Sequence, residues 1–248
     1  GISLSKQDDL KNIAQFQYIV GRSFQEIKKL DSAIFYLEAA FEKYKRIKMH
    51  KEEIAAMQFL NYAYYQTGKF TKRDQIINQL KAKLNQPVDL RTKSVMTSIL
   101  GEYSFNNDAF EAAIKYKMET LKLIEQLLLT KENVRVDSLN LGIVNIQIAE
   151  TYIKMKQFDR ALLYLKIFEK KKTSNIAQIT AAKVYNDYIM VYLGLNNLDS
   201  ANASFNKLKL IAQKEPLLNE EVSVANNNFA EYYLQNKQTD VALKFNKQ

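Results

Sequence analysis

A short pattern recurs six times along this chain at a spacing of about 40 residues: a large apolar residue, a small one, two variable positions and an aromatic. Its second residue is Gly21, Asn61, Gly101, Ala149, Ile189 and, last, Ala230. Self-similarity at such a period is the mark of a stacked array, in which each unit buries its apolar side against its neighbours and no single central core exists. Chains of this length would otherwise be expected to form one or two globular domains.

Aligning the units gives each column a physical task. Val20, Leu60, Leu100, Ile148, Tyr188 and Phe229 are large and apolar. The next column is mostly small, which lets two helices approach closely. Three residues on, and therefore on the same helical face, stand Phe24, Tyr64, Ser104, Tyr152, Tyr192 and Tyr233. A turn follows, then Leu30, Phe70, Phe110, Phe158, Leu198 and Thr239. Asp31, Thr71, Glu111, Asp159, Asp199 and Asp240 come directly after and are expected to cap the second helix of each unit. Two positions later the column reads Ala33, Arg73, Ala113, Ala161, Ala201 and Ala242, marking the tightest contact between paired helices. Leu37, Ile77, Lys117, Leu165 and Phe205 complete the buried stripe of the second helix, with Phe245 read into the same column.

Composition agrees with an all-helical chain, since six glycines and two prolines are too few for many short strands and tight turns. Pro87 and Pro216 both fall in the connector after a second helix, where a stop is wanted. No cysteine is present, which removes disulfides, thiolate nucleophiles and cysteine metal sites. His50 lies in a charged stretch and reads as a solvated histidine at a helix end. The net charge of +9 comes mainly from lysines scattered over every unit, with only six arginines, so it reads as a solubilising convex face. No apolar run approaches the roughly 20 residues needed to span a bilayer. The chain begins at Gly1 and is read as a processed or excised piece.

Val20-Gly21-x-x-Phe24 with Ala33-x-x-x-Leu37, Leu60-Asn61-x-x-Tyr64-x-x-x-Gly68-x-Phe70, and Ile148-Ala149-x-x-Tyr152 with Phe158-x-x-Ala161 resemble tetratricopeptide repeats. The likeness runs from about residue 8 to the end. It implies an all-α fold, a right-handed α-α superhelix (a TPR-like solenoid) of about six helix hairpins. The units are placed at approximately 8–50, 51–87, 88–134, 135–174, 175–216 and 217–248, in a single array over 1–248. Several features depart from the family pattern. The period exceeds the family's ~34 residues, the leading tryptophan is absent, and Arg73, Ser104 and Lys117 occupy apolar or small columns. Units two and three are therefore expected to pack less tightly. The longer step between Gly101 and Ala149 is expected to place two extra turns on the second helix of unit three, plus a longer connector near 128–140. The last unit stops at Gln248 without a polar cap, so a further domain of the same chain after Gln248, or homodimerisation through this uncapped end, is expected.

Carrying over the family's concave positions gives a peptide-binding groove. It comprises Gln15, Tyr18, Arg22 and Gln25 in unit one, Gln58, Tyr62 and Tyr65 in unit two, and Ser98, Glu102, Phe105 and Asn106 in unit three. Units four to six add Ile146 and Glu150, Asn186 and Met190, and Asn227 and Glu231. Amides can bond a peptide backbone and tyrosines offer rigid contact area. Tyr62 and Tyr65 have the alternative of packing between adjacent units. The family's carboxylate-holding Lys/Asn clamp is not reproduced, since Tyr18 and Arg22 stand at its first-unit positions, so docking of a chaperone tail is disfavoured.

No phosphate-binding glycine motif occurs, and a single histidine without cysteine leaves neither a catalytic triad nor a nitrogen–sulfur metal site; no catalytic residue, metal or cofactor is expected. The acid pairs Asp8-Asp9, Glu52-Glu53 and Glu220-Glu221 read as first-turn acids favoured by the helix dipole. The resemblance implies a non-enzymatic module that binds a protein or peptide. The longer unit resembles the sensory or scaffolding arrays of larger bacterial signalling or transcription regulators, of the membrane-anchored sensor-kinase or helix-turn-helix type. A structural adaptor working through its ends is the alternative. Nucleic-acid binding through convex lysines comes third and is not expected for this segment. For location, the reading leans to an extracytoplasmic (periplasmic) domain of a membrane-anchored protein, with the cytoplasm as the other possibility.

Overall fold

The structure is a computed structural model that describes residues 4–171 and 178–245. Among these residues there are twelve α-helices, one 3-10 turn at Pro216–Leu218 and no strand. The helices come in sequential pairs: α1 (Leu4–Glu26) with α2 (Leu30–Arg46), α3 (His50–Gln66) with α4 (Phe70–Leu84), and α5 (Leu90–Asn106) with α6 (Phe110–Thr130). Then come α7 (Val134–Lys154) with α8 (Phe158–Lys171), α9 (Gln178–Gly194) with α10 (Leu198–Ala212), and α11 (Asn219–Gln235) with α12 (Thr239–Phe245). The expected all-α class built of about six hairpins is what forms. By their contacts the chain divides into two compact units, the first holding α1–α6 and the second α7–α12. The expected boundary at 174/175 and the stop at Gln248 lie outside the described residues.

Each hairpin turns in the same way. The first helix ends in one residue with positive φ: Lys28, Gly68, Asp108, Lys156, Asn196 and Lys237. The next backbone N–H then reaches back to the carbonyl of the aromatic-column residue, as in Lys29 N–H to Phe24 at 2.9 Å, Lys69 to Tyr64 at 2.8 Å and Asn197 to Tyr192 at 2.8 Å. This is the helix-ending motif that satisfies orphan carbonyls. It also explains why the expected caps fall two places off. The second helix starts directly at Leu30, Phe70 or Leu198, so Asp31, Thr71 and Asp199 already lie in its first turn, where acids favour the dipole. Lys29 and Lys69 occupy the cap positions without a side-chain bond, and Asn197 caps α10 by accepting from Ser200 N–H at 3.0 Å.

The columns pack as their chemistry demands. Ala33, Ala113, Ala161, Ala201 and Ala242 are buried. A side chain added at Gly21 would meet Leu37, and one at Gly101 would meet Lys117, so the small column does set the hairpin spacing. Aromatic stacks join the paired helices at one level: Phe24 on Tyr36, Tyr152 on Tyr164, and Tyr233 on Phe245. The last pair corrects the register read for Phe245, which is the equivalent of Tyr36 and not of Leu37.

Units two and three do not loosen in the way their polar residues suggest. Arg73 is only 1 % exposed. Its Nε donates to Asn61 Oδ1 at 2.8 Å, and its guanidinium lies 4.6 Å from the Tyr65 ring centre and 4.8 Å from that of Tyr103. An Asn/Arg pair thus replaces the small/Ala pair of hairpins one, three, four and six. Lys117 is also buried, its ammonium 4.3 Å from the centre of the Phe105 ring and its stem against Gly101. Long side chains fill the volume that alanine and leucine fill elsewhere.

The insertion lengthens the second helix of unit three, as expected, but it lengthens the following first helix as well and leaves the connector short. α6 has 21 residues against 17, 15, 14 and 15 for the second helices α2, α4, α8 and α10, and α7 has 21 against 17 for the first helices α3, α5, α9 and α11. The connector between them is only residues 131–133. Continuing both helices satisfies every added backbone group internally, whereas a long loop would expose them.

Candidate functional site

The first helices of the second unit (α7, α9 and α11) enclose a cavity of about 440 Å³. Its apolar wall is Ile153, Phe158, Met190 and Leu193, and its polar wall includes Asn228, Glu231, Tyr232 and Asn236. Gly194 belongs to this wall because the Phe158 ring fills the space a side chain would take. Asn228 Nδ2 is buried without a hydrogen-bond partner. An uncommitted amide donor beside an apolar hollow can hold a peptide carbonyl.

One turn toward the N-termini of α7 and α9 stand Glu150 and Asp187, joined by Glu221 of α11. Asp187 is half-buried, with Oδ2 out of solvent and without a hydrogen-bond partner. Burial pushes its carboxyl well above the usual carboxylate range, Glu150 and Glu221 push it further, and the exposed Lys183 offsets only part of this. Asn186 Nδ2 donates to Glu221 Oε2 at 2.7 Å and to the Glu221 carbonyl at 3.0 Å, tying α9 to α11.

The folded protein holds a proton on Asp187 that the unfolded chain has released, so this contribution to stability is complete below the ordinary aspartate pKa. It is lost as pH rises through the raised folded value. Asp187→Asn is therefore expected to stabilise the protein at pH 7 by about 1 kcal/mol and to flatten the pH dependence of its unfolding midpoint between pH 4 and neutrality. Denaturant melts of both proteins across that range check this. An unchanged or lowered midpoint at pH 7 contradicts it.

The residues expected to line a groove fall in both units and take different surroundings in each. In the first unit the Arg22 guanidinium lies 4.9 Å from the Phe59 ring centre and 5.7 Å from that of Tyr18. Tyr65 packs against Phe70 and Arg73, while Tyr62 stays exposed. Phe105 packs on Phe110 and Lys117, and Glu102 faces Arg73 electrostatically. Gln58 lines a separate hollow of about 190 Å³ between α3 and α5. Gln15 is exposed, and Ser98 and Asn106 are half-buried. In the second unit Glu231 and Met190 line the large cavity, Glu150 stands one turn from it, Asn227 is exposed outside it, and Asn186 and Ile146 are buried.

Sequence reasoning missed Asp187, Glu221, Asn228 and Phe158 as site residues. Glu221 does lie in the first turn of α11, as expected of a dipole acid, but it also accepts from Asn186. A signal for Asp187 was available: a carboxylate in mid-helix between the buried columns at Val184 and Tyr188. His50 is exposed at the start of α3, its Nδ1 3.4 Å from Glu53 Oε2.

No protein-family model matches the chain, and no curated protein sequence matches it. Solved structures do. BtubC (BKLC) from P. vanneervenii superposes with a TM-score of 0.64 at 16% identity, covering 87% of each chain. The fold is that of a TPR-like helical repeat. The apo form of RapI gives a TM-score of 0.63 at 17% identity, covering 94% of this chain and 95% of its own. The Q17M form of a Podosopora anserina kinesin light chain with nearly identical TPR-like repeats gives 0.60 at 12% identity, covering 80% and 93%.

Proposed function

We propose that this chain is a non-enzymatic module that binds a protein or peptide segment against the first helices of its TPR-like hairpins. The observation that carries the reading is the cavity of about 440 Å³ between α7, α9 and α11, with the unpartnered Asn228 amide in its wall. Its mixture of apolar side chains and a few polar groups suits an extended peptide. The long repeat unit supports the finer view that the module is the sensory or scaffolding segment of a larger bacterial regulator.

The test is a fluorescence-anisotropy titration of fluorescein-labelled, acetylated and amidated octapeptide pools, each with one fixed position. Saturable binding is expected, weakened at least tenfold by Asn228→Leu combined with Glu231→Ala. The Tyr18, Arg22, Glu102 and Asn106 quadruple alanine variant tests the first unit in the same assay. Absence of saturable binding to any pool contradicts the reading. A second reading, an adaptor that docks through α1, is favoured by the exposed Ile13, Phe16 and Ile19 on that helix.

A further inference from the structure

We infer that the chain forms a two-fold dimer in which the outward side of α1 packs antiparallel on α1 of a second copy, centred on Phe16. This names the occupant of the α1 face and does not rest on peptide binding by the second unit.

The repeat itself shows that this face is built to be covered. Phe16 falls in the column of Ala56, Met96, Val184 and Ala225, all buried in first helices that follow another hairpin of the same unit. There the preceding hairpin packs over the first helix, as α2 does over α3 and α8 over α9. Val20 is only half-buried, whereas Leu60, Leu100, Tyr188 and Phe229 of its column are buried. A terminal hairpin open to water needs a polar outer face. Here Ile13, Phe16, Ile19 and Ile27 are instead 46, 65, 58 and 60 % exposed. Helical periodicity puts Ile13, Phe16, Val20 and Ile27 on one side of α1, with Ile19 at its margin.

Direction, spacing, charge and area each point to a second copy. α2 reaches α3 through residues 47–49 alone, so the helix that covers a first helix runs antiparallel to it. A two-fold axis perpendicular to α1 brings in α1 of the second copy with that same sense. The spacing is self-complementary. With Phe16 against its own equivalent, Ile13 opposes Ile19 of the second copy, and Ile19 opposes Ile13. Asp9 then opposes Ser23 of the second copy, an acceptor against a hydroxyl donor, and the two Asp9 carboxylates stay about 20 Å apart.

The chain carries +9, yet between Asp9 and Ile27 the outward side of α1 holds no cation. Lys11 and Arg22 fall on the opposite side, with the Arg22 guanidinium over the Phe59 ring of α3. Two copies can therefore meet here without apposing like charges. The four exposed apolar side chains offer roughly 450 Å² per copy, or about 900 Å² for the pair. That equals the apolar share of a standard interface of about 1,600 Å².

Sedimentation equilibrium is expected to show a monomer–dimer equilibrium with a Kd on the order of 10 µM. Phe16→Asp removes a central aromatic anchor and should weaken dimerisation at least about thirtyfold. Since Phe16 is exposed, the circular dichroism of this variant should match that of the parent. The register has its own test, because the chain has no cysteine. Mixed Asp9→Cys and Ser23→Cys proteins are expected to give a disulfide-linked dimer under mild oxidation by copper–phenanthroline, while neither protein alone does. A dimer that survives Phe16→Asp, or linkage within either single protein, overturns the inference. A monomer at every concentration overturns it too and leaves the face to a different protein. The peptide titration reads the second unit separately, so a monomeric chain leaves peptide binding standing, and absent peptide binding leaves the dimer standing.

Discussion

Arg73→Ala is expected to destabilise the first unit by about 3 kcal/mol, although alanine is the residue at this column in the five other hairpins. The reason is that hairpin two is built around a different solution. Removing the side chain empties the volume between Tyr65 and Tyr103 and leaves Asn61 Oδ1 buried with no donor. The guanidinium earns its place by stacking as well as bonding: its two terminal nitrogens have no hydrogen-bond partner, while aromatic rings lie close to it. Burial lowers its pKa, and Glu102 heads the neighbours that oppose this. Arg73→Lys is expected to be nearly as damaging, because an ammonium cannot reproduce a planar stack.

The pair, not the residue, is the unit of design, and a double-mutant cycle measures it. Asn61→Ala alone leaves a buried guanidinium without its hydrogen bond and should cost about 2 kcal/mol. Asn61→Ala with Arg73→Ala restores the small/Ala combination and is expected to cost at least about 1.5 kcal/mol less than the sum of the single changes. Additive costs in denaturant unfolding would show that the two side chains do not act together.

Gly21→Val should cost about 3 kcal/mol for the opposite reason, overpacking. A Cβ at this position would stand 2.7 Å from Leu37 Cγ and 3.1 Å from the Leu37 backbone nitrogen. Leu37 is fully buried, and its backbone is held in α2, so neither can yield without parting the hairpin. Gly21→Ala is expected to cost less, since better helix propensity returns about 1 kcal/mol. The check is amide hydrogen exchange in α1 and α2, where protection should fall more than in α9 and α10. Equal protection in the variant and the parent protein would mean that α1 and α2 are not set at glycine spacing. Ala149 and Ala230 occupy the same column elsewhere, so the tightest approach belongs to the glycine hairpins, and a Cβ at Gly101 would likewise stand 3.0 Å from Lys117 Cγ.

Much of the fold was legible from local chemistry. The apolar columns, the alanine column and the aromatic three residues after the small position are recurrences within one helix or one hairpin. Their burial follows from helical periodicity whatever the rest of the chain does. The misreadings came where a choice depended on a neighbour. The acids expected to cap second helices sit inside the first turn, because the preceding backbone turn delivers the chain into the helix two residues early. Phe245 was a misreading of another kind: it stands three residues after Ala242, where Leu37, Leu165 and Phe205 stand four after their alanines, and it stacks on Tyr233 accordingly.

The candidate site was far less legible. Asn186 was picked for its type and proved to be a tie between α9 and α11, while Asp187 beside it faces two other carboxylates. Glu150, Asp187 and Glu221 are 37 and 34 residues apart in the chain, and each alone reads as an ordinary solvated acid. Periodic burial is a property of a helix face, so the amino-acid order was sufficient to determine six helical hairpins and the residues that join them. Which exposed faces meet depends on how hairpin stacks on hairpin. Only that packing could bring three carboxylates and an unpartnered amide to one place, because the repulsion they suffer there is imposed by α7, α9 and α11 together and by no segment of sequence alone.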